Sequence, residues 1–579
     1  MTTARPNRRR ALALVAGGGL LVCVAALTSN RGIEEAFGRA PGSLAWGPAL
    51  FRLLLVFHGL ALTAAAFVRQ DRNRDLEPPA PTTARWHWIA LAALAALALG
   101  LRLWRLDSSL WFDEVLTLLD FVRPPLAIIV TSFSSQSQHM LYSLLAHASI
   151  RLFGENAAAL RLPAVLFGVA GVWALFLLGR RILGASQALL ACALMTVSYH
   201  HIWFSQNARG YTGLLFFAML ATWLWLEAPA RRSWRWWIAY SLAVALGMWT
   251  HMTMLFVVIA HVLAQLPSLL RREESRLQPL AAWLLGGAFT LQLYALTLPE
   301  FLRTTLHEIS PPSQWTDPLW ALGESLRGLQ AGWSGAAVVA LGGLVLLGGW
   351  LGIWSRHRRA ALALLLPGLL GGAAMLASGH NLWPRFFFFS MGFALLAVVH
   401  GASTLPRLAL ARFRGQVFQR LGQRSGVALA GLLIAASALT IPRCYALPKQ
   451  DFTAARDYVE RNRKPSDEVV TVGLAARAYG GYFAPHWPAA NSGPELDQMR
   501  RRHKSLWLVY TLPAQLQGFH PEIWRAVGAD FEVVKVFPGT LGGGEITICR
   551  AKPQPPPQDP LTLAAELTTA AAWKEQAKP

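Results

Sequence analysis

Charge is scarce in this chain. Only 15% of its 579 residues are Asp, Glu, Lys or Arg, 54% are hydrophobic, and the mean hydropathy is +0.36. That balance excludes an ordinary soluble globular protein and points to a chain embedded in a bilayer. Cysteine is scarcer still. Four residues, Cys23, Cys192, Cys444 and Cys549, exclude a disulfide framework and show no metal-ligand spacing. Cys23 and Cys192 fall in apolar stretches, where a small buried side chain is the ordinary explanation, and a Cys444–Cys549 bridge stays open. Acidic residues number 31 against 53 basic ones, a formal net charge of +22. Such an excess would suit nucleic acid, but the basic residues stand in short clusters between apolar stretches, which is the positive-inside pattern of membrane proteins. No internal repeat of the kind that builds transporters is visible.

What the chain has in abundance is apolar length. Stretches able to cross a bilayer run over 11–28, 48–68, 86–104, 160–179, 186–204, 211–226, 236–250, 252–269, 278–298, 333–354, 360–377, 386–404 and 426–442, so about thirteen transmembrane helices are expected. The first follows Arg8-Arg9-Arg10 like a secretory signal but lacks a small-x-small cleavage site, so it is read as a retained span. Arginines cluster at alternate connections: Arg8 to Arg10, Arg72 and Arg74, Arg180-Arg181, Arg231-Arg232, Arg271-Arg272, Arg358-Arg359 and Arg412 to Arg424. These define a cytoplasmic face and a cytoplasmic N-terminus. An odd number of spans then puts everything beyond about Arg443 outside. The loops holding Asp113-Glu114, Arg209, the 299–332 segment and Arg385 face the same way.

Beyond Arg443 the pattern changes from long apolar runs to alternation. Segments 468–474, 506–512, 531–537 and 545–549 read as strands, and 451–463, 494–502 and 521–528 as helices. The fold class is therefore an all-α polytopic membrane protein with a small C-terminal α/β extracytoplasmic domain. Four regions follow: two extra N-terminal helices (1–85), a transmembrane catalytic domain (86–443) with an amphipathic outer loop (105–159), the α/β domain (444–551), and a proline-rich linker with a tail (552–579).

Chemistry-bearing residues gather on the outer side. In Ser109-Leu110-Trp111-Phe112-Asp113-Glu114, two carboxylates follow a span, where a charge is costly and therefore a functional candidate, although a helix starting near Val115 would also use them as caps. Downstream come Gln138-His139-Met140-Leu141-Tyr142 and Ala159-Leu160-Arg161-Leu162-Pro163. Phe204-Ser205-Gln206-Asn207-Ala208-Arg209-Gly210-Tyr211 makes a tight outer turn, where Arg209 works against the positive-inside bias. Trp383-Pro384-Arg385-Phe386 repeats an isolated outer arginine. A guanidinium matches phosphate oxygens with a two-pronged fork, so Arg209 and Arg385 together suit one lipid phosphate, with snorkelling toward headgroups as the bland alternative. His139, Tyr142, Gln206, Tyr211 and His251 are candidates for substrate contact; for His139 and His251 an ordinary capping or interhelical role competes.

These motifs, in this order and all on the outer side, resemble the GT-C membrane glycosyltransferases of the protein O-mannosyltransferase and lipid A aminoarabinose transferase group, over roughly residues 86–443. The resemblance implies an enzyme of the bacterial inner membrane that moves a sugar from a polyprenyl-phosphate donor to a protein hydroxyl, lipid A or an envelope glycan at the exterior. Asn207 stands where many relatives carry an acidic residue, Met140-Leu141 replaces a usual Pro-Pro, and two extra spans precede the family's usual start. In that setting Asp113 would be the general base, Glu114 would orient the acceptor or a divalent cation, and Arg209 and Arg385 would hold the leaving phosphate. Beyond the lipid-linked sugar no cofactor is certain, a divalent cation stays open, and no nucleic acid partner is expected. A cytoplasmic acidic domain, usual in enzymes that use nucleotide sugars, is not evident. A flippase of lipid-linked sugars is the alternative, but it would place polar residues on both halves of the membrane rather than one.

Overall fold

The computed structural model describes residues 8–67, 83–231, 233–271, 276–306, 319, 323, 336–379, 382–413, 415–503 and 505–553. The tail beyond 553, most of the expected 299–332 outer segment and the Arg72–Arg74 connection lie outside the described residues. The chain divides into two compact units. One comprises 1–108 and 116–447, the other 109–115 and 448–579.

Among its described residues, the first unit is built of helices and the turns between them. Every apolar stretch expected to span corresponds to helix, yet not every one is a single straight helix. Nine helices are long and apolar enough to cross a bilayer, and two bent pairs bring the number to as many as 11 among the described residues. The stretch 186–204 is split into Ala185–Thr196 and Tyr199–Ser205, bent by 64°, and 278–298 turns by 86° between Leu277–Tyr294 and Leu298–Thr304. Helices Trp234–Thr250 and Met254–Leu270 have 17 residues each. At about 1.5 Å per residue that is roughly 25 Å, short of the ~30 Å hydrocarbon core. The expected thirteen spans thus overcount, because apolar length alone does not register a break. The 64° break has a local cause: Ser198 restarts a helix by accepting the His201 N–H, and the Met195 and Thr196 carbonyls at the end of the first helix take hydrogen bonds from the fully buried Arg102 guanidinium.

Helix Tyr211–Arg231 is the axle of this unit. Met219, Ala218 and Trp225 pack with Val172, Leu175 and Phe176 of Ala157–Ile182 and with Trp237 and Tyr240 of Trp234–Thr250. Elsewhere small residues allow backbones to touch. A Cβ at Gly349 would lie 1.8 Å from the Ala397 carbonyl oxygen and one at Gly401 2.0 Å from that of Val345, so Ala336–Arg356 and Met391–Ala411 cross at backbone contact.

The second unit is built on a five-stranded sheet. Its strands are β1 (Glu468–Val472), β2 (Ala489–Ala490), β3 (Leu506–Thr511), β4 (Phe531–Phe537) and β5 (Ile546–Ala551), in spatial order β2-β1-β3-β5-β4. β1 pairs in parallel with β2 and β3, while β5 runs antiparallel to β3 and β4. All six residues of β3 are buried, as a central strand covered on both faces requires. β4 is an exposed edge, blunted by Lys535 and an irregular register between Val533 and Lys535. Four strands and the helices Phe452–Asn462, Gly493–Arg502 and Pro521–Asp530 fall where alternation places them. The two-residue β2 and the short helices Leu474–Ala478 and Pro513–Phe519 carry too little pattern to be read from sequence. All four cysteines are free, so the Cys444–Cys549 pairing is not formed.

One buried charge stabilises the sheet. Asp467 accepts the Trp507 indole N–H at 3.0 Å and the Lys464 backbone N–H at 3.1 Å. Burial pushes its carboxyl up, but those bonds, with Ser505 and the Arg550 charge, win and hold it below the usual aspartate value. A lowered folded value means that the unfolded chain binds the proton more readily. The stabilisation is therefore present above about pH 4, the unfolded aspartate value, and is lost as pH falls further. Asp467→Ala, which leaves both donors unpaired, is expected to weaken the sheet at neutral pH by about 2 kcal/mol. Amide exchange of β1 and β3 in the full chain measures it, and the variant should be less acid-sensitive than wild type below pH 4.

Candidate active site

Antiparallel connections bring distant motifs to one end of the helical unit. The start of Tyr211–Arg231, the end of Trp234–Thr250 and the start of Met254–Leu270 necessarily share that end. Arg209, Tyr211 and His251 therefore meet. The short 3₁₀ helix Pro384–Ser390 packs on Tyr211–Arg231 and delivers Arg385. His139 arrives as the residue capping Met140–Phe153.

The contacts are close. His139 Nδ1 accepts the Gly210 N–H at 2.6 Å, and its ring lies 5.3 Å from Tyr211 and 4.9 Å from His251, edge to face. No side chain fits at position 210, where a Cβ would stand 2.8 Å from His139 Nδ1 and 3.0 Å from Thr250 Cγ2. Arg209 is buried; its Nη1 donates to Thr117 Oγ1 at 3.3 Å and its Cζ sits 5.9 Å from the Tyr211 ring centre. Arg385 lies over Trp383 at 4.9 Å and Phe386 at 5.7 Å. One aromatic ring beside Arg209 and two beside Arg385 keep the forks in place without neutralising them.

Electrostatically the cluster is cationic, but not through histidine. Burial first, then the Arg209 charge, His251 and the Arg385 charge hold His139 well below the ordinary imidazole range. Burial and the same two guanidiniums bring His251 down to about 3. Both imidazoles are neutral near pH 7, so the positive charge here belongs to Arg209 and Arg385. Among the described residues, the Arg209 Nε–H and the Tyr211 hydroxyl are buried without a hydrogen-bond partner. Buried donors are normally satisfied, so two orphans beside fixed positive charge describe a seat for an anion.

Other expected site residues are placed elsewhere. Tyr142 is fully buried and gives its hydroxyl to the Leu160 carbonyl at 2.5 Å. Gln206 Nε2 donates to the Arg102 and Trp104 carbonyls, bracing the end of helix Arg85–Leu103. Arg161 donates to the Leu106 and Ser108 carbonyls at 2.8 Å, fixing the chain just before the acidic motif. The motif itself belongs to the second unit. Its helix begins at Phe112, earlier than expected, and Glu114, fully buried, accepts the Trp111 N–H at 3.2 Å as the acidic member of a capping box does. Asp113 is half-buried beside it. Among the described residues no three His, Cys, Asp or Glu side chains group as metal ligands. Sequence reading missed Thr117, Arg102 and Gln450, polar residues that announce themselves only through their partners.

No curated protein matches the chain by sequence. Among solved structures, ArnT from Cupriavidus metallidurans in the apo state is 14% identical, with 82% of this chain and 100% of that one covered and a TM-score of 0.47. The apo oligosaccharyltransferase of Archaeoglobus fulgidus is 11% identical, covering 77% and 73%, with a TM-score of 0.47. The arabinosyltransferase EmbB of Mycobacterium smegmatis is 13% identical, covering 69% and 45%, with a TM-score of 0.44. Residues 137–298, which hold His139, Tyr142, Arg161, Arg209, Tyr211 and His251, match the dolichyl-phosphate-mannose-protein mannosyltransferase family.

Proposed function

We propose that the protein is an inverting glycosyltransferase that takes a sugar from a polyprenyl-phosphate donor and places it on a hydroxyl of an extracytoplasmic acceptor. The observation that carries this reading is the anion seat, in which Arg209 and Tyr211 hold unused, buried donors within a cationic cluster. The similarity of residues 137–298 to the dolichyl-phosphate-mannose-protein mannosyltransferase family supports the donor class.

The chemistry needs little besides positioning and charge. Asp113 accepts the proton of the acceptor hydroxyl while that oxygen attacks the anomeric carbon from the face opposite the phosphate. The bond from carbon to phosphate oxygen breaks, and its electron pair leaves with the lipid phosphate. Arg209 and Arg385 stabilise the charge that grows there, and Tyr211 adds a hydrogen bond. Glu114 sets the turn that presents Asp113. The neutral imidazoles of His139 and His251 do not repel a cationic or neutral sugar and do not compete with the arginines for the phosphate.

The purified protein should release or transfer sugar from at least one of a panel of undecaprenyl-phosphate-linked hexose, aminoarabinose and uronic acid donors, with inverted anomeric configuration. No turnover of any of them, or retained configuration, refutes the reading. Sidedness is tested separately. Single cysteines at Ser109 and Ser505, in a background lacking the native four, should react with a membrane-impermeant thiol reagent applied from outside, and one at Ser233 should not. The reverse labelling would put the site at the cytoplasm.

A further inference from the structure

The C-terminal unit incorporates residues 109–115, more than 330 positions upstream of its own sheet. A buried amide is central to the join. Gln450, fully buried, accepts the Phe112 N–H through Oε1 at 2.8 Å and donates through Nε2 to Thr511 Oγ1 at 2.9 Å and to the Gly544 carbonyl at 3.0 Å. Both N–H donors and the carbonyl oxygen of that side chain are engaged, three of the four hydrogen bonds it can make. Its own backbone is held just as firmly, since the Thr540 and Leu541 N–H groups donate to the Pro448 and Lys449 carbonyls and Gly539 leaves no room for a side chain against Lys449. A second link joins Thr453 Oγ1 to Ser109 Oγ at 3.2 Å.

The location on the sheet matters. Thr511 ends β3, and the strand order changes direction between β1 and β3, because β1 connects to β2 on one side and the chain returns to β3 on the other. Folds of this type bind ligands in the crevice beyond the carboxyl ends of strands at such a reversal. Leu512 follows directly in the left-handed region at φ +51°, a conformation costly for a branched side chain and kept where the surroundings impose it.

We infer that the C-terminal α/β unit is a positioning device for the reaction, with Gln450 as the clasp that fixes Phe112 and through it the neighbouring Asp113. The inference rests on the base role proposed for Asp113. Gln450 touches no reacting atom in this account; it acts through the backbone of the acidic motif, which a polar crevice of the sheet holds in place of a foreign ligand. An error of about 1 Å in the placement of a catalytic group costs on the order of 100-fold in rate, so a single clasp can matter this much.

Two variants test it in the full chain, using whichever undecaprenyl-phosphate sugar of the panel turns over fastest. Gln450→Leu should lower kcat by about 10- to 100-fold with donor KM within about twofold, because the phosphate seat is untouched. Amide exchange over 109–115 should quicken at least about tenfold, while that of β1 and β3 stays as in wild type. Thr511→Val, which removes the hydroxyl that turns the amide and keeps the side chain's shape, should give the same pattern with a loss of about 3- to 10-fold, and serves if the first variant does not fold. Unchanged exchange over 109–115, kcat within twofold of wild type, or a loss confined to KM overturns the clasp. An inactive Asp113→Asn protein beside fully active Gln450 and Thr511 variants overturns the clasp alone. An active Asp113→Asn protein overturns the base role and the clasp's purpose together, whatever the exchange shows.

Discussion

Replacing Asp113 by Asn is expected to lower sugar transfer by about 10²- to 10⁴-fold, the usual contribution of a positioned general base. The change preserves size and removes the proton acceptor, so donor binding and the amount of folded protein should stay near wild type. Glu114→Gln should be milder in chemistry, because Glu114 accepts a hydrogen bond from the Trp111 backbone and an amide oxygen can still do so. Transfer by Asp113→Asn at more than about a tenth of the wild-type rate would leave too small a contribution for a base. Equal losses at both positions would point instead to a cation shared by the two carboxylates.

The second large effect is expected at the arginines. Arg209→Lys and Arg385→Lys keep the charge and lose the planar fork, so each should weaken donor binding or turnover. Arg209→Lys should be the more severe. Its guanidinium is buried and bonded to Thr117, whereas Arg385 is partly exposed between aromatic rings. The double variant should cost less than the sum of the singles, since both groups serve one phosphate. Simple additivity, or untouched donor affinity in both single variants, would separate the two residues and return Arg385 to an interfacial anchor.

How much of this could be read from the residues alone depended on what each feature needs in order to show. Strands β1, β3, β4 and β5 announced themselves because alternation is local, and Arg209, Arg385 and His139 because a charge or ring at the end of an apolar run has few reasons to be there. Helix ends on one face converge whatever the packing details, which is why these residues meet in the structure. The breaks at Thr196 and Tyr294 were invisible because hydropathy stays high across them. Gln450 was invisible for a different reason. A glutamine near the start of a soluble domain looks like any solvated residue until its partner, 338 positions away, is known. Tyr142 and Gln206 were noticed for their polarity, and the structure gives both to backbone carbonyls.

The buried Arg102 also bears on how the chain is made. The hydrogen-bond partners of its guanidinium outside its own helix, Met195, Thr196, His201 and Ser205, lie 93 to 103 residues further along. At roughly 5–20 residues per second, the ribosome needs about 5 to 20 s to supply them. Until then the third apolar helix carries an unsatisfied cation near its end, which must wait at the lipid–water boundary on an outstretched side chain. Its withdrawal into the bundle is thus tied to the arrival of the broken segment, which supplies the carbonyls, the ring and the hydroxyl it bonds to.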